Sequence, residues 1–160
     1  MSEPELRAAL ASASRIGIRL RESLADLAAA MPISPAAVEG MDRHLAVFTD
    51  AFLKRFESLV SQLQDQVWPR AATFEGEDPV PLSRRDLMEL MDKLHILDSA
   101  DAFRGIAKLR NRLSHAYIHD PVQIAKRLNQ AYAAAPTVLR ALETAEGWAA
   151  RRLSLPPASP

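Results

Sequence analysis

From Met41 to Val67, large apolar side chains recur at steps of three or four: Met41, Leu45, Phe48, Phe52, Phe56, Leu59, Leu63 and Val67. On a strand these residues would fall on both faces. On a helix of 3.6 residues per turn they form one stripe, so the spacing selects a helix. Ser34 as N-cap with Pro35 at the first helical position opens it. Trp68-Pro69 should close it, predicting a rod of about 34 residues, some 50 Å long. A rod with one apolar side needs partners along its whole length.

The rest of the chain supplies them in the same period. A first helix is predicted over residues 3–30, with Leu6, Leu10, Ile16, Leu20, Leu24 and Leu27 inward and Pro4 in its first turn. Met31-Pro32-Ile33 breaks it. Residues 73–81 read as a loop. Ser83, with Asp86 three residues on, resembles a capping box and opens a short helix with Leu87, Leu90, Met91 and Leu94 inward. The methionines read as core filler. Asp98 or Ser99 caps the next helix, whose stripe is Ala102, Ile106, Leu109 and Leu113. Asp120-Pro121 starts the last helix, carrying Ile124, Leu128, Ala131, Ala135, Leu139 and Leu142, with a kink expected at Pro136. Only five glycines are present and no strand-length run alternates apolar with polar residues. The fold class is therefore all-α, an antiparallel helical bundle of four or five helices. It forms one domain over residues 1–153, followed by a flexible, disordered tail over residues 154–160 with three prolines.

Composition limits the function classes. With 48% apolar residues the chain can bury a core unaided. It has no cysteine, so neither a disulfide framework nor a thiolate metal site is expected. No carboxylate cluster offers a metal site, and no cofactor is expected. No secretory signal or membrane span is expected, so the chain reads as cytoplasmic. The formal net charge is zero, which excludes a protein that holds nucleic acid by bulk charge. Charge is local instead. From Arg104 to Arg127 six basic residues face one acid, Asp120.

That excess surrounds Leu109-Arg110-Asn111-Arg112-Leu113-Ser114-His115-Ala116-Tyr117, where a guanidinium, an amide, an imidazole and a phenol crowd into one predicted helix. Measured from Ile106 on an ideal helix, the core stripe lies between about 300° and 360°. Arg110 then falls at about 40°, Tyr117 at about 20°, Asn111 at about 140° and His115 at about 180°. Arg110 sits at the edge of the buried stripe while His115 points away. The two can meet around one phosphate if the Arg arm curls, if the helix loosens before Pro121, or if two copies meet across a two-fold axis, which fits the spacing best.

Imidazole gives and takes protons near neutral pH, and guanidinium is a fixed cationic fork for phosphate oxygens. Together they suit RNA cleavage without a metal, in which the 2′-hydroxyl is the nucleophile. His115 would move the proton and Arg110 would hold the crowded anionic phosphorus centre. DNA lacks that nucleophile. The bland alternative is structural: Arg110 paired to a carboxylate, His115 at the surface and Tyr117 at the core edge. His44 beside the long stripe reads as a surface residue, as does His119 at a helix end. Ser114 has no assignable role.

The pattern Arg-x4-His-x-Tyr with Asn after the Arg resembles the HEPN superfamily, and more narrowly the HepT-like toxins. The resemblance implies a HEPN-like helical bundle and a homodimer whose motifs line a cleft between subunits. It implies that Arg110 and His115 are the catalytic pair of an endoribonuclease, with Asn111 in support. It further implies a partner, a nucleotidyltransferase antitoxin of the MNT type, that silences the toxin by adenylylating Tyr117. AMP there would put bulk and negative charge beside the cleft. Two other readings compete: a non-catalytic HEPN module that binds a nucleotidyltransferase or a nucleotide, and a bundle in which the motif is coincidence.

Overall fold

The computed structural model describes residues 3–114 and 119–153, without the side chain of Ser114. Seven α-helical segments occur among them: α1 (Glu3–Leu27), α2 (Pro35–Glu39), α3 (Arg43–Gln62), α4 (Trp68–Phe74), α5 (Arg84–Lys93), α6 (Ala100–Ser114) and α7 (Pro121–Arg152). A π-helical turn, Leu63–Val67, joins α3 to α4. The expected count of four or five helices was too low, for reasons visible in the chain.

The first reason lies between residues 34 and 43. Ser34 Oγ accepts the Ala37 N–H and Pro35 opens α2 as expected. The helix then stops at Gly40, and Asp42 caps α3 by accepting the Leu45 N–H at 2.8 Å. A glycine followed by an Asp cap is a stop and restart, and it divides the expected single rod. The second reason lies at Trp68-Pro69, where the expected stop does not occur. In the π turn the Trp68 N–H reaches back to Leu63 O, five residues earlier. Pro69, which has no N–H to donate, then falls in the first turn of α4, where none is needed.

Cross-helix contacts fix the directions of the elements. Gln62 Nε2 donates to Ala9 O at 3.1 Å and Arg55 Nη1 to Ser23 Oγ at 2.6 Å, so α1 runs antiparallel to α3. Ser14 Oγ donates to Glu146 Oε2, Arg21 pairs with Glu143, and Tyr132 reaches Leu24 O, so α1 is also antiparallel to α7. Gly17 lets these two helices approach: a Cβ there would lie 2.4 Å from Leu142 Cδ2. The rings of Phe52 and Tyr132, and those of Phe74 and Trp148, meet in the same chain direction, so α3–α4 and α7 are parallel. Trp68 meets Phe103 and Gln64 meets Arg110, so α6 is antiparallel to α3–α4. The frame is thus a four-rod bundle of α1, α3–α4, α6 and α7.

Phe52, Phe56, Leu59, Leu63 and Val67 of the long stripe are fully buried, as are Leu6, Leu20 and Leu27 of α1. Phe48 is not: it remains 36% exposed near the start of α3. His44 and His119 are exposed, as expected. α1 ends at Leu27 rather than Ala30. The segment after it is tied to α7 by Asn129, whose amide accepts from Ile33 N at 2.7 Å and donates to Ile33 O at 2.9 Å. α7 continues as one helix through the exposed Pro136. The tail over residues 154–160 lies outside the described residues. No helix among the described residues is long and apolar enough to cross a membrane.

Candidate functional site

The position of α6 is set at both ends. α5 closes with His95 in the left-handed region at φ 59°. The His95 N–H bonds Asp92 O and the Ile96 N–H bonds Met91 O, a Schellman closure that sends Ile96 and Leu97 into the core. Of the two cap candidates Ser99 serves α6, its Oγ accepting the Ala102 N–H at 3.1 Å. Asp92 Oδ2 takes the Ala100 N–H at 2.8 Å and ties the helix to α5.

Rotation about the α6 axis is fixed by Phe103, Ile106 and Leu109. Phe103 is fully buried, with its ring edge-on to Trp68 at 4.9 Å. Ala102, expected on the inner stripe, is exposed instead, and Phe103 takes that place. The substitution follows from size: one position later on the helix, a ring fills the space against Trp68 that a methyl would leave empty.

With the helix so set, Arg110 falls half-buried at the edge of the core and Asn111 is exposed, as the helical angles predict. Arg110 Nη1 donates to Gln64 Oε1 across a long 3.5 Å contact. Gln64 lies in the π turn and is 5% exposed. π turns of this kind concentrate at functional sites. Sequence reasoning missed Gln64. Its signal was a second stripe at steps of four, Val60-Gln64-Trp68, that is buried throughout and placed one polar residue between two core residues. Gln64 also lines a cleft of about 450 Å³ with Arg70, Ser83 and Arg84. Both arginines there are engaged, Arg84 with Asp65 at 2.9 Å and Arg70 with Gln66.

The outer face of α6 carries Arg104, Lys108, Asn111 and Arg112. Arg104 is paired with Glu89 and Asp101. Lys108 and Arg112, one turn apart, are exposed and form no ion pair among the described residues. They lie toward the C-terminal end of α6, where the outward carbonyls favour cations. The basic excess is therefore not one patch. Lys126 is exposed on α7, and Arg127 turns inward, its Nη1 buried.

His115 and Tyr117 lie outside the described residues, so of the four expected site residues Arg110 and Asn111 are placed. Comparison with known proteins gave no match: no family model, curated protein or solved structure matches the chain.

Proposed function

We propose that the chain is a metal-independent endoribonuclease of the HepT-like kind, acting as a homodimer and restrained by a nucleotidyltransferase antitoxin. The observation that carries this reading is the setting of Arg110. Its guanidinium is half-buried, hydrogen-bonded to the enclosed Gln64, and followed at once by the exposed Asn111. A half-buried guanidinium at the rim of the core, beside an exposed amide, suits the holding of anionic oxygens in a transition state.

The mechanism is displacement at phosphorus. His115 takes the proton from the 2′-hydroxyl, and the 2′-oxygen attacks phosphorus. The bond to the 5′-oxygen breaks and that oxygen takes up a proton. Arg110 holds the non-bridging oxygens as negative charge accumulates on them. A phosphate near the carbonyl end of a helix is disfavoured by the helix dipole. Lys108 and Arg112 offset that by placing two cations one turn apart. Asn111 supports the scissile nucleotide through its amide. Adenylylation of Tyr117 by the partner would silence the enzyme by adding a phosphate beside this site.

The test is cleavage of a mixed single-stranded RNA by the purified protein with a chelator present. Wild-type protein should cut RNA and leave the DNA of the same sequence intact. Arg110→Ala should lose roughly 10²–10³-fold in rate and His115→Ala roughly 10²–10⁴-fold, both with helical circular dichroism retained. A folded, unmodified protein that cuts no RNA would refute catalysis and leave the non-catalytic binding module as the surviving account of the motif.

A further inference from the structure

The furrow between α1 and the α3–α4 rod holds two clefts. One, of about 490 Å³, is lined by Arg15, Arg19, Glu22 and Arg55 over Ile16 and Ile18. The other, of about 370 Å³, is lined by Glu5, Ser12, Gln62, Gln66 and Arg70. Arg15 Nη2 donates to Ser12 Oγ at 3.3 Å and joins the two. Arg70 also lines the cleft of about 450 Å³ that contains Gln64, the partner of Arg110. The concavities therefore form one track from the outer face of α1 to the edge of α6.

Three arginines on this track carry charge that no carboxylate neutralises. Arg19 is paired with Glu22 and Arg84 with Asp65. Arg15, Arg55 and Arg70 form no ion pair among the described residues, and the oxygens they meet are all neutral. Arg55 is pinned, its Nη1 donating to Ser23 Oγ at 2.6 Å and to Arg19 O at 3.3 Å. Its Nε and Nη2 have no partner and stay open to solvent, as do those of Arg70, whose Nη1 is held by Gln66. The chain as a whole has zero formal charge, so this row does not follow from a generally basic surface. A furrow lined by one sign of charge gathers the opposite sign.

The rest of the lining narrows the class. Cations spaced along a furrow, rather than gathered in one pocket, fit a chain of anions. Between them lie the hydroxyls and amides of Ser12, Ser58, Gln62 and Gln66, groups that contact phosphate and sugar oxygens. A docked helix would need a continuous apolar seam, and large apolar side chains are confined to Ile16 and Ile18. No aromatic ring lines either cleft, so binding is led by phosphates and carries no sequence preference. The helical run from Arg55 to Arg70 covers roughly 22 Å, enough for several nucleotides. We propose that this furrow holds the phosphodiester backbone of a single RNA strand that continues to Arg110. That the strand is RNA rests on the ribonuclease reading; the row of cations does not.

The experiment measures binding of fluorescein-labelled 2′-O-methyl RNA to the full chain by anisotropy, from about 50 to 200 mM salt. The methyl group blocks attack by the 2′-oxygen, so binding is read apart from cleavage. A strand of about 12 nucleotides should bind saturably, and a dinucleotide roughly tenfold or more weakly. Log affinity should fall against log salt with a slope of about −2 or steeper, and each of Arg15→Gln, Arg55→Gln and Arg70→Gln should make it shallower by about 0.7. The triple variant should bind roughly tenfold or more weakly than wild type. If Arg55→Gln fails to fold, the Arg15→Gln/Arg70→Gln double variant carries the same test, since neither side chain reaches across to another helix except through Ser12 on α1 itself. Folded variants with wild-type affinity and slope would overturn the proposal, as would displacement of the strand by poly-glutamate of equal charge at equal concentration, which would mark a site for an acidic protein segment. Arginine-dependent binding of an unmethylated RNA that is never cut would support the furrow and sink the ribonuclease reading. Cleavage with arginine-independent affinity would sink the furrow alone.

Discussion

The carboxylate of Glu75 closes one end of the bundle, and its removal tests how that end is held. Glu75 is the C-cap residue of α4, and its side chain is 16% exposed. It accepts from Trp148 Nε1 at 3.1 Å and from Arg152 Nε at 2.8 Å and Nη2 at 3.3 Å. Phe74 completes the cluster, edge-on to Trp148 at 5.9 Å, with the Arg152 guanidinium 5.8 Å from its centroid. Trp148 is 3% exposed, so Glu75→Ala strands an indole N–H inside the protein. That costs about 1–3 kcal/mol. The Arg152 ion pair is partly screened by solvent and adds a smaller contribution. In a chain of this size the midpoint of thermal unfolding should fall by roughly 2–12 °C. Glu75→Gln retains an acceptor for Trp148 and should lose less than about 1 kcal/mol.

pH separates the charge from the hydrogen bond. The hydrogen bond from Arg152 is the main influence on Glu75 and lowers its pKa below the ordinary 4.5; burial opposes it, while the Trp148 hydrogen bond and the Arg152 charge act with it. A carboxylate with a depressed folded pKa stabilises the fold fully above its unfolded pKa and loses that contribution as pH falls through the folded value. Wild-type protein should therefore exceed Glu75→Gln in stability at pH 7. The gap should close only below about pH 4.5, the ordinary value. Urea unfolding at stepped pH reads both quantities. A Glu75→Ala protein within about 0.5 kcal/mol of wild type, or a gap that stays flat to pH 3, would refute the reasoning.

Three other substitutions probe the frame and the site. Gly17→Ala should destabilise by about 1 kcal/mol, because overpacking against the buried Leu142 outweighs the gain in helix propensity. In a Leu142→Ala background the same change should stabilise, and urea midpoints of the four proteins show the reversal. Asn129→Ala should cost about 2 kcal/mol, since it leaves the N–H and carbonyl of the buried Ile33 without their partner, and hydrogen exchange at Ile33 should rise with it. Gln64→Leu should fold with nearly unchanged stability but cut RNA at least about tenfold more slowly, because Arg110 loses its brace; an unchanged rate would show that the contact does not position Arg110.

The helices were legible because one period governs them. Caps at Ser34, Ser83 and Asp120 fall where they were expected, and most of the stripe residues of α1, α3 and α7 are buried, with Ile16, Leu24, Leu45 and Ile124 half-buried and Phe48 exposed. What was not legible turned on competing local effects. Gly40 with Asp42 looked like part of a long stripe because Met41 and Leu45 keep the period, yet glycine and an Asp cap outweigh two apolar residues. Pro69 reads as a breaker in isolation, and only the π turn before it lets the helix continue. On α6 the step from Ala102 to Ile106 kept the period but chose the smaller side chain, and packing against Trp68 favoured Phe103. The edge position of Arg110 and the exposure of Asn111 followed directly from helical angles. Gln64 did not, because its role depends on a partner 46 residues away in sequence.

In the proposed reaction Arg110 and His115 promote attack of a ribose 2′-hydroxyl on its own phosphate. The most direct measurement is the mass of the fragments from a short RNA incubated with wild-type protein and chelator. The 5′ fragments should end in a 2′,3′-cyclic phosphate, and no cleavage should occur at a position carrying a 2′-O-methyl group. Fragments ending in a 3′-hydroxyl, or cleavage that continues at the methylated position, would contradict it.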